Sequence, residues 1–354
     1  MSYLFPAKSI TFDAALRDLA AGSPKARALA AHALGDLSDE AERRRAIEAL
    51  IAALEDDRME VRAEACSSLG DLGAREGTLA RRAADGRSGA VEAGEPALVA
   101  ALGKRLADGS AAVRQNAAIA LGTIRHPDGF APLAEALADG PADLRFQAVT
   151  SLAEIDGPRA YDPTLAALGD SDPQVVGAAA LALGGIGDAR AVSSLAGKLD
   201  IGDAGARFDI AYALAELGDA TGRAVLVGGL LDEDRAWDAV MALGWLAGPD
   251  DVSALARCMT ARKTPIEASV LAAGTVLTLA PASTHEPAAR ALLLDALGNR
   301  KTHVRGIAVE QLGAAAGRWA IPPLDKLARS GRGDDLREAI ATAIRAIESR
   351  LSPA

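Results

Sequence analysis

VRQNAAIALGTI, residues Val113 to Ile124, is the stretch that decides the fold. At about 100° per residue, its positions 1, 2, 5, 6, 8, 9 and 12 fall on one contiguous side, while 3, 4, 7 and 11 form a narrow opposite stripe. The phrase is an amphipathic helix, and it recurs. Copies begin at Val61 (VRAEACSSLGDLG), Leu144 (LRFQAVTSLAEI), Val175 (VVGAAALALGGIG), Ala206 (ARFDIAYALAELG), Arg235 (RAWDAVMALGWL), Val304 (VRGIAVEQLG) and Leu336 (LREAIATAIRAI). Weaker copies start at Ala26 and Ile266, which makes ten.

The ninth positions Leu121, Leu152, Leu183 and Leu214 stand 31 residues apart, room for two short helices and two turns. Ahead of each phrase lies a second apolar-periodic run, such as FAPLAEALAD from Phe130 and AVSSLAGKLD from Ala191. These runs end at Asp, Gly, Ser or Pro, residues that break or cap helices. The unit is therefore helix, turn, helix. One such hairpin cannot bury its apolar faces alone, so neighbours must stack. The expected repeats run near 8–37, 44–72, 95–124, 128–156, 159–187, 189–217, 220–246, 250–279, 286–313 and 319–347, one array over 1–354.

The pattern Val-Arg-x-x-Ala-Ala-x-Ala-Leu-Gly-x-Ile-Gly resembles HEAT repeats, in particular the short bacterial type of the phycobilin-lyase-like HEAT family. The resemblance covers nearly the whole chain. It implies an all-α fold, a right-handed α-solenoid of about ten helical hairpins, armadillo-like in build. Its matched positions are packing positions, so it carries a fold rather than an activity.

Arg occupies position 2 at Arg27, Arg62, Arg114, Arg145, Arg207, Arg305 and Arg337, and Asp stands five residues ahead of position 1 at Asp56, Asp108, Asp139 and Asp170. A ladder in which Arg bridges turn carboxylates and helix ends between repeats accounts for both. Glycine at position 10 of six copies reads as close helix approach. The spacing breaks at 73–94, GAREGTLARRAADGRSGAVEAG, which reads as an exposed Gly/Arg-rich excursion with a short helix near Thr78 to Ala84. The copy at Ile266 is degenerate, with Glu267 for Arg and Gly274 for Leu, and the charged stretch Asp335 to Arg350 reads as a terminal cap.

Half of the 354 residues are hydrophobic but only 3% are aromatic, a composition for close-packed small side chains. The net charge of −10 argues against a nucleic-acid partner, because phosphate must be neutralised by Lys and Arg. No apolar run is long enough for membrane insertion, and the sequence reads as soluble and cytoplasmic. Cys66 and Cys258 have no metal or disulfide spacing, and the four histidines lie in separate repeats or turns. Neither catalytic residues, metal ligands nor a cofactor is expected. His285-Glu286 sits before Pro287 at a helix start and reads as a cap, not as one of the iron-binding His-Glu pairs of the HEAT-like deoxyhypusine hydroxylases.

In HEAT hairpins the second helix lines the concave side, so positions 3, 4, 7 and 11 are expected to face a groove. Phe146 and Gln147, then Phe208, Asp209, Tyr212 and Glu216, then Trp237, Asp238, Met241 and Trp245 occupy those positions in repeats four, six and seven. Aromatic and Met anchors among carboxylates suit a protein or peptide partner with a basic or amphipathic segment. From Ala131 to Val240 there are 18 acidic and 7 basic residues, a field that would steer such a partner. The sequence thus points to a non-enzymatic interaction scaffold. The alternative is a bilin-lyase-like or chaperone-like accessory in cofactor attachment, for which only scaffold residues match.

Overall fold

A computed structural model describes residues 10–37, 39–84, 96–246 and 248–351. Among these residues there are helices, turns and no strand. The chain divides into two compact units, Met1–Ile186 and Gly187–Ala354.

The first unit holds α1 (Phe12–Ala21), α2 (Pro24–Gly35), α3 (Glu40–Ala53), α4 (Met59–Ala84), α5 (Pro96–Arg105), α6 (Ala111–Ile124), α7 (Phe130–Asp139), α8 (Ala142–Ile155), α9 (Gly157–Ala167) and α10 (Pro173–Ile186). The second holds α11 (Val192–Ala196), α12 (Ala204–Glu216), α13 (Arg223–Gly229), α14 (Ala236–Leu246), α15 (Val252–Thr260), α16 (Ile266–Leu279), α17 (Glu286–Ala296), α18 (Thr302–Ala315), α19 (Ile321–Ala328) and α20 (Arg337–Leu351). Within each unit every odd-numbered helix packs on the even-numbered helix that follows, and consecutive even-numbered helices stack on one another. This is an all-α solenoid.

Capping side chains start helices where the sequence places breakers: Thr11, Ser23, Asp39, Asp156 and Asp203 each accept a hydrogen bond from a backbone N–H in the first turn. At the other end, Gly218 takes φ 79° after α12, and the Asp219 N–H reaches back to Leu214 O at 2.8 Å. The ninth-position leucines form the core, with Leu34, Leu69, Leu152, Leu183, Leu214, Leu243 and Leu312 at 0% exposure. Burying each such side chain stabilises by about 1.5–3 kcal/mol.

Four of the tenth-position glycines bring helices together. A Cβ on Gly122 would lie 2.8 Å from the Ser151 Cβ, and Gly35, Gly70 and Gly313 face Ser68, Ala120 and Ala343 at 3.0 Å or less. In each case the residue met is the eighth of the next phrase. Gly274 on α16 is a further close approach, since a Cβ there would fall 2.6 Å from the Gln311 Cβ on α18. Pro265 is the N-cap of α16, and the Ala280 N–H closes on Val276 O as the Arg125 N–H closes on Leu121 O, so Val276, fully buried, takes the ninth place and the sequence register of this copy is off by two residues.

The expected excursion after Gly73 is corrected in its first half: α4 continues unbroken to Ala84. Residues 85–95 of that stretch lie outside the described residues. Near the other terminus, Arg350 of α20 donates to Gly313 O at 2.6 Å and Ala316 O at 2.9 Å, satisfying carbonyls at the end of α18.

The arginine ladder is present in the first unit. Arg27 reaches Asp56 at 2.7 Å, Arg62 reaches Asp108 at 2.8 Å and Arg145 reaches Asp170 at 2.6 Å, each carboxylate belonging to the turn of the next repeat. Arg114 departs from the expectation, pairing with Asp143 at 3.2 Å and not with Asp139. Each of these arginines also donates to a carbonyl five or six residues earlier: Gly22, Asp56, Asp108 or Gly140. The bridges hold the Asp56, Asp108 and Asp170 carboxyls below the ordinary range, the arginine hydrogen bond being the largest cause. Both cysteines are buried, and burial pushes Cys66 up to about 12 and Cys258 up to about 11, far from the thiolate that redox or nucleophilic chemistry needs.

Candidate functional site

The stripe of positions 3, 4, 7 and 11 behaves differently in the two units. In the first, Phe146 on α8 is 41% exposed and Gln147 beside it is half-buried. Several polar members of this row are engaged. Asn116 donates to Ala63 O at 2.9 Å, Glu64 meets His32 at 2.7 Å, and Glu154 pairs with Arg125. Sequence reasoning missed three apolar members: Leu29, Ile119 and Leu181, all exposed. They stand at position 4 or 7 of their phrases, and the same register that selected Phe146 finds them once aliphatic as well as aromatic side chains are sought.

In the second unit the row lies on α12 and α14. Trp237 and Trp245 are exposed, at 36% and 43%. Tyr212 on α12 is half-buried and meets Trp245 on α14 edge to face, ring centroids 5.2 Å apart at 71°. That geometry sets the positive ring edge of one against the negative face of the other and holds both in place. Met241, half-buried, lies one helical turn from both Trp237 and Trp245 on α14.

Phe208 does not belong to this row. It is 5% exposed and packs with Leu226, Leu230 and Ala239 in the core. The cause lies on α13, outside the repeated phrase: Gly229 has no side chain, and a Cβ there would come within 2.6 Å of the Phe208 ring. The Arg235 guanidinium lies over the ring, 5.2 Å from its centroid, and donates to Ala204 O at 3.1 Å.

Asp209, Glu216 and Asp238 stand among the rings. Among the described residues none of the three makes a hydrogen bond or ion pair through its side chain. Each is pushed above the ordinary carboxylate range, in every case chiefly by partial burial. For Asp209 the neighbouring Asp203 and Asp238 add to the rise and Arg235 opposes it. The Tyr212 hydroxyl is pushed up as well, by burial first and then by the negative charge of Asp238 and Glu216. Asp209 is half-buried while Glu216 and Asp238 are exposed to water, so each carboxylate is only partly desolvated and has no protein donor among the described residues.

Among the described residues no group of three His, Cys, Asp or Glu is placed to hold a metal ion, and no helix is long and apolar enough to cross a membrane. His285 stands at the N-cap of α17 without a capping hydrogen bond from its side chain, and Glu286 pairs with Arg290 at 3.2 Å.

The HEAT repeats model matches residues 14–85, 78–145, 131–215 and 161–238. No curated protein sequence matches. Among solved structures, yeast importin-β (Kap95p) is 15% identical with a TM-score of 0.58, covering 96% of this chain and 52% of its own. A second importin-β crystal structure is 14% identical with a TM-score of 0.53, covering 95% and 52%. The chain thus spans about half the length of either importin-β. The CpcE–CpcF complex of phycocyanin lyase from Nostoc is 21% identical with a TM-score of 0.39, covering 82% of this chain and 98% of that one. With more than half of its length matched by the repeat model, the chain belongs to the HEAT-repeat family.

Proposed function

We propose that this protein is a non-enzymatic interaction scaffold that docks a basic, amphipathic segment of a protein partner on α12 and α14. The observation that carries this reading is the trio Asp209, Glu216 and Asp238, partly desolvated and unpaired among the described residues, set around Tyr212, Trp237 and Trp245. Lys or Arg side chains from a partner would supply the missing donors, and the alkyl stems and apolar residues between them would cover the rings. Aromatic burial then sets the lifetime of the complex, and the acidic field sets the rate of encounter. Phe146 and Gln147 on α8 belong to the first unit and are proposed as part of a separate, mainly aliphatic contact row with Ile119 and Leu181.

The test uses a labelled amphipathic peptide carrying Lys and Arg along one edge, titrated into the full chain. Trp237→Ala combined with Tyr212→Ala is expected to weaken binding at least about tenfold with helicity unchanged. Equal affinity in wild type and variant, or equal affinity for a Glu-edged twin of the peptide, overturns the reading.

A further inference from the structure

The second unit carries another opening that the docking row does not use. Between α17 and α19, the first helices of two consecutive hairpins, lies a cleft of about 700 Å³. Its floor is apolar: Leu297 and Leu327 are nearly buried there, and Leu294, Pro322 and Pro323 line it, with Leu294 37% exposed. Pro322 and Pro323 contribute no N–H, so that stretch of the wall offers no backbone donor that water must satisfy.

Both ends of the cleft are braced. At the start of the helices the Arg290 guanidinium of α17 lies 4.0 Å from the ring centroid of Trp319, just ahead of α19. At the far end Arg332 donates to Gly298 O at 3.2 Å. Its own carbonyl accepts from Arg305 at 3.0 Å, so the brace is itself anchored to α18. Along α19 the lining runs from Pro322 to Ser330, roughly 12 Å at ~1.5 Å per residue, about two helical turns.

The charged residues lining the cleft are Lys326 and Arg332, both cations. Lys326 is exposed and makes no hydrogen bond or ion pair among the described residues. This wall lies in the part of the chain, Ala291 to Ala354, where 10 basic residues outnumber 7 acidic ones. An apolar trough of two turns with a free ammonium at its rim is complementary to a short helix bearing leucine-like anchors flanked by carboxylates.

We infer that the α17–α19 cleft is a second docking site, taking an acidic amphipathic helix from a protein partner. The anchors enter between Leu294 and Leu327, and a Glu or Asp at the helix edge pairs with Lys326. The site is opposite in charge preference to the α12–α14 row, so one chain has a place for a basic segment and a place for an acidic one.

The experiment measures anisotropy of a fluorescein-labelled, helix-forming peptide with Leu at every third or fourth position and Glu beside each Leu. Its twin has Lys in place of Glu. The full chain is expected to bind the Glu peptide saturably and the Lys twin at least about tenfold more weakly. Lys326→Glu should lower affinity for the Glu peptide about tenfold and raise that for the Lys twin, and Leu294→Asp should abolish both. Trp237→Ala should leave Glu-peptide binding unchanged, which separates this site from the row on α12 and α14. Absence of saturable Glu-peptide binding, indifference to Lys326→Glu, or sensitivity to Trp237→Ala would overturn the inference.

Discussion

The two units are built from the same hairpin yet spend their charges in opposite ways. In the first, the carboxylates of Asp56, Asp108 and Asp170 lie between repeats and are answered by Arg27, Arg62 and Arg145. In the second, Arg207 and Arg305 have no acid across the seam: Arg207 donates to Ile201 O and Gly202 O, and Arg305 to Asn299 O, Arg300 O, Thr302 and Arg332 O, while Arg337 pairs within its own repeat with Asp334. Its conspicuous carboxylates, Asp209, Glu216 and Asp238, lie instead on the solvent stripe without partners among the described residues. A repeat can therefore place the same residue type either in its seams, where it fixes stacking, or on its face, where it waits for a ligand. The Arg223–Asp251 pair, with Asp251 side chain only 3% exposed, shows that the second unit still uses one strong inter-repeat bridge, moved to the starts of the first helices.

If the contrast is one of charge placement alone, the apolar cores should be equivalent. Leu152 in the first unit and Leu214 in the second are both fully buried at position 9. Leu152→Ala and Leu214→Ala are each expected to cost about 2–5 kcal/mol by denaturant unfolding. A loss in one unit several times that in the other would break the equivalence and trace the difference to packing.

The seams come next. Removing Arg62 leaves the nearly buried Asp108 carboxylate without its bidentate donor, so Arg62→Ala is expected to cost about 1–3 kcal/mol. Arg207→Ala removes bonds to carbonyls that water can partly replace, and about 0.5–1 kcal/mol is expected. Comparable losses at the two positions would mean that the ladder's carboxylates matter less than its carbonyl contacts.

Glycine sharpens the comparison in sign. Gly122→Ala drives a methyl to 2.8 Å from Ser151, and the helices must part at a cost of about 1–3 kcal/mol. Gly244 occupies the same position in the second unit, but a Cβ there meets Thr275 at 3.7 Å, ordinary contact. Gly244→Ala should be neutral or stabilise by up to about 1 kcal/mol through helix propensity. Thermal melts of the two variants distinguish these directions.

The regular parts of this arrangement are legible in the sequence because packing imposes a period. The leucines at position 9, the glycines at position 10 and the arginines at position 2 each answer to one physical demand repeated in every hairpin. What escapes is whatever depends on residues outside the phrase. Phe208 occupies a solvent position by count, yet Gly229 on a neighbouring helix opens a slot that draws it inward. Arg114 selects Asp143 over Asp139 through a turn geometry the spacing does not encode. Gly274 is misplaced in the count because this copy has no leucine at its ninth position, which the helix bounds and the Ala280 N–H to Val276 O bond assign to Val276. The α17–α19 cleft is invisible for a related reason: first helices vary in sequence, and the gap between two of them is set by Trp319 and Arg332, which belong to no periodic position. The aromatic row survives in the sequence reading because large rings are scarce in this chain and stand out wherever they fall.

The smallest expected effect is also the one that reads charge placement most directly, since the two classes of carboxylate should respond to acid with opposite signs. Asp108 is held below its unfolded value, so it contributes stability above the ordinary carboxylate range and loses that contribution as pH falls through its lowered folded value. Asp209 is held above its unfolded value. It binds a proton more readily in the folded chain, so it disfavours folding at neutral pH and that penalty fades as pH falls toward and below the raised value. Asp108→Asn should therefore weaken protection of α4 and α6 at pH 7 and flatten their acid dependence, as read by hydrogen exchange resolved to individual helices. Asp209→Asn should increase protection of α12 at pH 7 by less than about 1 kcal/mol, an advantage that shrinks as the pH is lowered. If Asp209→Asn instead loosens α12, the carboxylate has a donor that holds it in place, and the face of α12 and α14 is a seam like those of the first unit, closed to any partner.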